Sequence, residues 1–193
     1  MNRRRNNKQP SSRFFGLCSL LLGILLLLSL ISYDVNDIPP NAPLINITSN
    51  PNDPPHNLLG IFGALYGGYA YFFLGLAAFW LAAGLIGLGS AKILYRNLPI
   101  LEKFAWILIN AISASCLLQL NPDWFRNWED FFRAHGTGGF FGYWLGRRAF
   151  GNSFGPVGST LASASLYFLS LTLALGFHPI TLCRQILRKS SRW

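Results

Sequence analysis

The chain has 193 residues, 51% hydrophobic and only 12% charged, with a formal net charge of +9. A soluble helical bundle carries charge on the outer face of every helix. Here the charges lie between long apolar runs, which excludes that class and makes the chain a membrane protein. The basic total does not mark a nucleic-acid binder either, because it is gathered at the ends of the runs. No direct DNA contact is expected from the short tails.

Residues 1–13 form a polar, basic tail with Arg3, Arg4, Arg5, Lys8 and Arg13. The first span, about 14–32, contains no charged residue and meets the roughly 20 helical residues that a hydrocarbon core demands. Its apolar core is long and no A-x-A-like site precedes Tyr33, so it reads as a retained signal-anchor helix and not a cleaved signal peptide. Leu20–Leu30 is its purest stretch, expected to face lipid over most of its surface. Residues 33–56 are a loop with prolines at 39, 40, 43, 51, 54 and 55, a density that stops helices. Asn46-Ile47-Thr48 matches a three-residue glycosylation pattern, which carries no meaning in a bacterium.

The second apolar run, Leu58–Leu88, is too long for one upright helix: about 30 residues at about 1.5 Å each exceed a core of about 30 Å. The span is expected at about 62–88, and the excess predicts a tilt, a bend or an interfacial start. Glycines 60, 63, 67 and 68 favour a break or a close-packed start near the outer surface. Gly63 and Gly67, like Ala64 and Gly68, put small residues on one helix face, a pattern that lets helices approach closely. The third span, about 101–120, holds only Glu102 and Lys103 at its edge.

Asn121-Pro122-Asp123 reads as an N-cap, a proline in the first turn and an acid beside it. Trp124, Trp128, Phe131 and Phe132 follow, predicting a short amphipathic helix over 122–134 on the outer membrane surface. Gly138, Gly142 and Gly146 then mark a segment too short to cross and closed by Arg147 and Arg148. It is a short helix, either re-entrant or lying in the interface. Gly151, Gly155, Ser159 and Ser163 recur every fourth position into the last span, about 154–177. A second basic tail, 179–193, follows with Arg184, Arg188, Lys189 and Arg192. The expected fold is therefore all-α and polytopic: a membrane domain over 14–178 with four transmembrane helices, plus a short amphipathic or re-entrant helix before the last. The helix-packing and oligomerisation candidates are Gly63, Gly67, Gly138, Gly142, Gly146, Gly155 and Ser159.

Twelve of the sixteen basic residues lie in the two tails or around Lys92, Arg96 and Lys103, while residues 33–57 carry Asp34, Asp37 and Asp53 and no Lys or Arg. The positive-inside rule places the basic side, with both termini, in the cytoplasm. Its tails are also positioned to meet anionic headgroups. No Walker A, H-E-x-x-H or G-x-S-x-G pattern occurs, so no catalytic, cofactor or metal residue is assigned. Cys18, Cys116 and Cys183 imply no disulfide framework, and His56, His135 and His178 lack metal-ligand spacing. The cores of the spans hold no ionisable residue, which argues against a small membrane transporter or permeability protein, the alternative reading. A lipid enzyme would have only the loose grouping Asp34, Asp37 and His56 to work with.

The order of several short motifs resembles one family. Ser32-Tyr33-Asp34-Val35-Asn36-Asp37-Ile38-Pro39 closes the first helix. Asn57-Leu58-Leu59-Gly60-Ile61-Phe62-Gly63-Ala64 opens the second run, and Phe73-Leu74-Gly75-Leu76-Ala77-Ala78 follows. Gly138-Gly139-x-x-Gly142 and Gly155-x-x-Gly158-Ser159 precede and open the last span. Together they are similar to the N-terminal membrane domain of the FtsK/SpoIIIE bacterial DNA translocases, over about residues 14–178. The resemblance marks Ser32, Tyr33, Asp34, Asp37, Asn57 and Gly60 as outer-loop motif positions. It implies an inner-membrane anchor at the division septum that forms a homo-oligomer and meets division proteins. It would work beside a separate or covalently linked motor. The family's linker and ATPase motor do not lie in these residues, so the chain is expected to be the membrane part of a longer protein or a stand-alone relative.

Overall fold

The structure is a computed structural model that describes residues 12–46, 48–95, 97–121 and 136–176. The expected helix at 122–134 and most of both basic tails lie outside these residues. The described chain is helical: α1 (Ser12–Ile31), a 3-10 turn (Val35–Asp37), α2 (Gly60–Leu74), α3 (Ala77–Leu94) and α4 (Ile100–Leu120). A short α5 (Gly139–Phe141) continues as a π-helix (Gly142–Gly151) into α6 (Asn152–Leu175). Among the described residues, four stretches are long and apolar enough to cross a membrane: Arg13–Ile31, Ala77–Leu94, Ile100–Leu120 and the helical run Gly139–Leu175.

The crossing helices stand in a row, with α1 on α3, α3 on α4 and α4 on α6. Small residues set the spacing. A side chain on Gly23 would come within 2.8 Å of the Ile86 backbone nitrogen, and one on Gly16 within 3.1 Å of Lys92. Close backbone approach replaces the hydrophobic drive that lipid does not supply. Ser19 adds a hydrogen bond from its Oγ to the Leu85 carbonyl at 2.9 Å. On the far side of the row, Asn110 donates from α4 to the Tyr167 carbonyl at 2.8 Å and to Ser170 Oγ at 3.1 Å. Lys103 donates to the Leu173 carbonyl near the end of α6. These pairings make α1 antiparallel to α3 and α4 antiparallel to α6.

The long second run divides at Gly75–Leu76, not at the cluster of glycines before it. Gly75 has φ 58° and ψ −139°, a conformation that only glycine adopts freely, and Leu76 turns its amide to the Thr137 carbonyl at 3.0 Å. Glycines 63, 67 and 68 stay inside α2, where they serve contact: the Cβ positions of Gly67 and Gly68 are met by Ser29 and Ile45. The second crossing is therefore α3. α2, with 15 residues, is about 22 Å long, and its hydrogen bonds to α1 fall on the C-terminal turns of that helix. Ser29 Oγ donates to the Gly63 carbonyl and Tyr71 Oη to the Leu30 carbonyl at 3.2 Å.

The core joins these parts. Leu26, Leu30, Tyr71, Leu74, Ala77, Ala78, Ala82, Leu85 and Ala111 form one buried cluster. A smaller cluster of Val35, Ile38, Ala42 and Ile45 lays the proline-rich loop on Leu65, Tyr69 and Phe72 of α2. α6 ends at Gly176, which takes a left-handed conformation of the kind that commonly terminates helices. Near its start, Gly155 departs from helical geometry and Pro156 follows, so the last crossing is kinked one turn after the π-helix.

Candidate functional site

The densest polar constellation sits where α1 hands over to α2 at one end of the row. Ser32 ends α1 with its Oγ donating to the Leu28 carbonyl at 2.7 Å and accepting from the Leu58 amide at 3.0 Å. Asp34 caps the 3-10 turn, accepting from the Asn36 amide at 2.9 Å. Asp37 is only 2% exposed. Its carboxylate accepts from Asn52 Nδ2 at 2.8 Å, the His56 amide at 2.9 Å and the Asn57 amide at 2.7 Å. These three donors supply hydrogen bonds to a carboxyl group that burial cuts off from water. Asn57 reaches back from the far end of the loop, donating to the carbonyls of Ser29 at 3.0 Å and Ser32 at 3.1 Å. The Gly60 amide closes onto the Asn57 carbonyl at 2.8 Å, and the Tyr33 ring packs 4.9 Å from that of Tyr71.

The six motif positions Ser32, Tyr33, Asp34, Asp37, Asn57 and Gly60 thus meet in one knot. Ser32, Tyr33, Asp37 and Asn57 face inward or along the helix ends. Asp34 and His56 form its wet edge, paired at 3.2 Å. The Asn36 amide, and then His56 and Asn52, hold the Asp34 carboxyl below the usual carboxylate range. Burial, and secondarily the negative Asp34 alongside, push the Tyr33 hydroxyl up to about 12. Ligand atoms of Asp34, Asp37 and His56 lie within 4.8 Å of one another. The Asn52 amide nitrogen lies among them, 3.2 Å from Asp34 Oδ2 and 2.8 Å from Asp37 Oδ1. It bridges the two carboxylates as a neutral donor. Asn52 had no signal in the sequence beyond its place in an Asn/Pro-rich loop.

A second junction lies beside the first. Thr137, 2% exposed, donates to the Leu118 carbonyl at 3.0 Å and accepts from Leu76 at the α2–α3 break. Ser115 Oγ donates to the Gly138 carbonyl, and Gln119 Oε1 accepts from the Gly138 amide at 3.2 Å. The Cβ positions of Gly138 and Gly142 fall on the Ser115 carbonyl, and that of Gly146 on Cys116. The segment 138–146 therefore crosses α4 at residues 115–119, one glycine per turn. Phe140 stacks on Phe72 at 6.0 Å, and Phe141 lies 5.6 Å from Phe73, tying α5 to α2.

The small-residue candidates divide. Gly63, Gly67, Gly138, Gly142 and Gly146 close on this chain's own atoms. Ser159 is fully buried and donates to the Pro156 carbonyl at 3.0 Å. Gly155 faces open space at φ 68° and serves the kink.

Residues 11–187 match the model of the 4TM region of DNA translocase FtsK/SpoIIIE. The chain belongs to this family. Searches of curated proteins and of solved structures each gave no match. The FtsK/SpoIIIE match covers the membrane region of such translocases and not their ATPase motor, which fits an integral inner-membrane domain with a lipid environment.

Proposed function

We propose that this FtsK/SpoIIIE 4TM chain anchors a cell-division DNA translocase at the septum and helps it assemble into a homo-oligomer, with both termini cytoplasmic. The family match over 11–187 carries the reading. The open row supports assembly. Its end helices α1 and α6 each present apolar side chains outward, among them Leu21, Leu22 and Leu25 on α1 and Val157, Leu161 and Phe168 on α6. The glycine faces of α2 and of 138–146 are used inside the chain, so contacts between copies fall to these flanks. On the outer side, Asp34 and His56 are the polar groups of the knot left in reach of division proteins, with side-chain exposures of 30% and 69%.

The test is a C-terminal fluorescent fusion that matures only in the cytoplasm, imaged in dividing cells. A septal band is the expected result. A uniform membrane signal from a correctly inserted fusion counts against septal recruitment by this chain alone, and a dark but fully expressed fusion counts against the orientation. Asp34→Ala with normal insertion is expected to lose midcell enrichment; unchanged localisation removes Asp34 from the partner surface.

A further inference from the structure

Four basic residues fall on the side that the charge distribution makes external: Arg126, Arg133, Arg147 and Arg148. The last two lie on the π-helix Gly142–Gly151, whose buried residues are Gly142 and Gly146. With the glycines turned to α4, the helix leaves Tyr143, Trp144, Arg147 and Arg148 exposed, while Leu145, Ala149 and Phe150 are half-buried. Tyr143 is 45% exposed and Trp144 53%. Each arginine follows an aromatic by four residues, about one turn. Among the described residues, the ion pair is that of His56 with Asp34, and no carboxylate pairs with either guanidinium.

Tyrosine and tryptophan sit at the membrane–water boundary, where the ring is apolar and its polar edge is wet. A guanidinium presents a planar fork of donors that matches phosphate oxygens two at a time. Both groups are fixed here on a helix pinned crosswise to α4 at Ser115–Gln119, close to the outer end of the row. We propose that Arg147 and Arg148 clamp the phosphate of an anionic phospholipid in the outer leaflet, with Tyr143 and Trp144 setting the helix at headgroup depth. The leaflet rests on the orientation proposed above, while the chemistry of the clamp does not.

The full chain in nanodiscs of phosphatidylcholine, with and without phosphatidylglycerol, tests this. The basic tails attract the same lipid, so the deciding quantity is the difference between wild type and the R147Q/R148Q variant. At about tenfold per 1.4 kcal/mol and roughly 1 kcal/mol for each basic residue near an anionic surface, the variant is expected to lose tenfold or more of the preference for phosphatidylglycerol. R147K/R148K should keep part of it, since the charge remains and the fork is lost. An unchanged preference in R147Q/R148Q assigns the binding to the tails and overturns the clamp. Equal destabilisation of that variant in pure phosphatidylcholine identifies a protein carboxylate as the partner and also overturns it. Should the variant fail to fold, a phosphatidylglycerol carrying a photoreactive group near its phosphate decides on wild type. Adducts on 140–151 support the clamp, and adducts confined to the tails refute it. The discs offer both leaflets alike, so a wrong orientation would surface only in the fluorescence experiment.

Discussion

The Asn57 side chain joins the two ends of the loop between α1 and α2 by donating to the Ser29 carbonyl, 28 residues away, at 3.0 Å. The same amide group uses its oxygen to accept from the Leu59 amide at 3.1 Å, so one residue ends α1 and starts α2. Removing it leaves buried backbone carbonyls without their donor, a loss of about 1–3 kcal/mol. Asn57→Ala is expected to lower the thermal midpoint of the purified chain measurably. Gly63 is coupled to it, because a Cβ there would land on Asn57 Oδ1 and, at 2.6 Å, on Leu59 Cβ. The N57A/G63A double variant should therefore lose less than the two single losses combined, by at least about 0.5 kcal/mol. Strict additivity would show that the two residues do not share this contact.

Gly75→Ala and Gly87→Ala separate a glycine held by its surroundings from one that is not. At Gly75 φ is positive and a Cβ would run into the Thr137 carbonyl and, at 2.7 Å, the Gly139 amide nitrogen. The atoms met are backbone, so the α2–α3 break and the 137–139 loop must part. At Gly87 nothing lies within 4 Å. Gly75→Ala is expected to destabilise by more than about 3 kcal/mol or to prevent folding, and Gly87→Ala to be neutral or to gain up to about 1 kcal/mol. Unfolding curves of the two variants side by side check the contrast.

Much of this arrangement was legible in residue type and spacing, and what escaped did so for physical reasons. Apolar runs specify crossing helices because the bilayer imposes both length and composition, and four described stretches meet both demands. Where the second run divides is not legible, because hydropathy is blind to a single residue's φ. Nothing in the run marks Gly75, rather than Gly63, Gly67 or Gly68, as the one whose amide neighbour finds Thr137 some 60 residues on. The motif positions Ser32 to Gly60 are readable as a set, yet Asp37 and Asn57 read equally well as solvated loop residues until the fold brings the loop ends together. Asn52 and Thr137 were missed, since a lone amide or hydroxyl has no periodicity to betray it.

Acid should loosen the knot from its wet edge. The Asp34 carboxyl is held below its ordinary value, so the folded state favours the charged form. The stabilisation is complete above the unfolded value of about 3.9 and is lost as pH falls through the lower, folded one. The thermal midpoint of wild type is expected to drop below about pH 4 more steeply than that of Asp34→Asn. Because Asp34 is well solvated, the effect should be small and should shrink in high salt. Parallel acid limbs for the two proteins would assign the loss to other carboxylates.

Two serines on α6 provide the finest test. Ser159 and Ser163 are both fully buried, one turn apart on the face toward α4. Ser159 Oγ has the Pro156 carbonyl as its partner, while Ser163 Oγ has no hydrogen-bond partner among the described residues. A buried hydroxyl without a partner loses its hydration and recovers nothing, so deleting it removes a cost. Ser163→Ala is expected to leave stability unchanged or raise it by up to about 1 kcal/mol. Ser159→Ala gives up a bond to its own helix beside the Gly155–Pro156 kink, and an intramolecular hydrogen bond contributes about 0.5–1.5 kcal/mol. It should lower stability by about that amount. The decisive measurement is the order of the two variants in one unfolding assay: Ser163→Ala above Ser159→Ala. The reverse order would mean that Ser163 holds α6 through a bond to something other than the described chain.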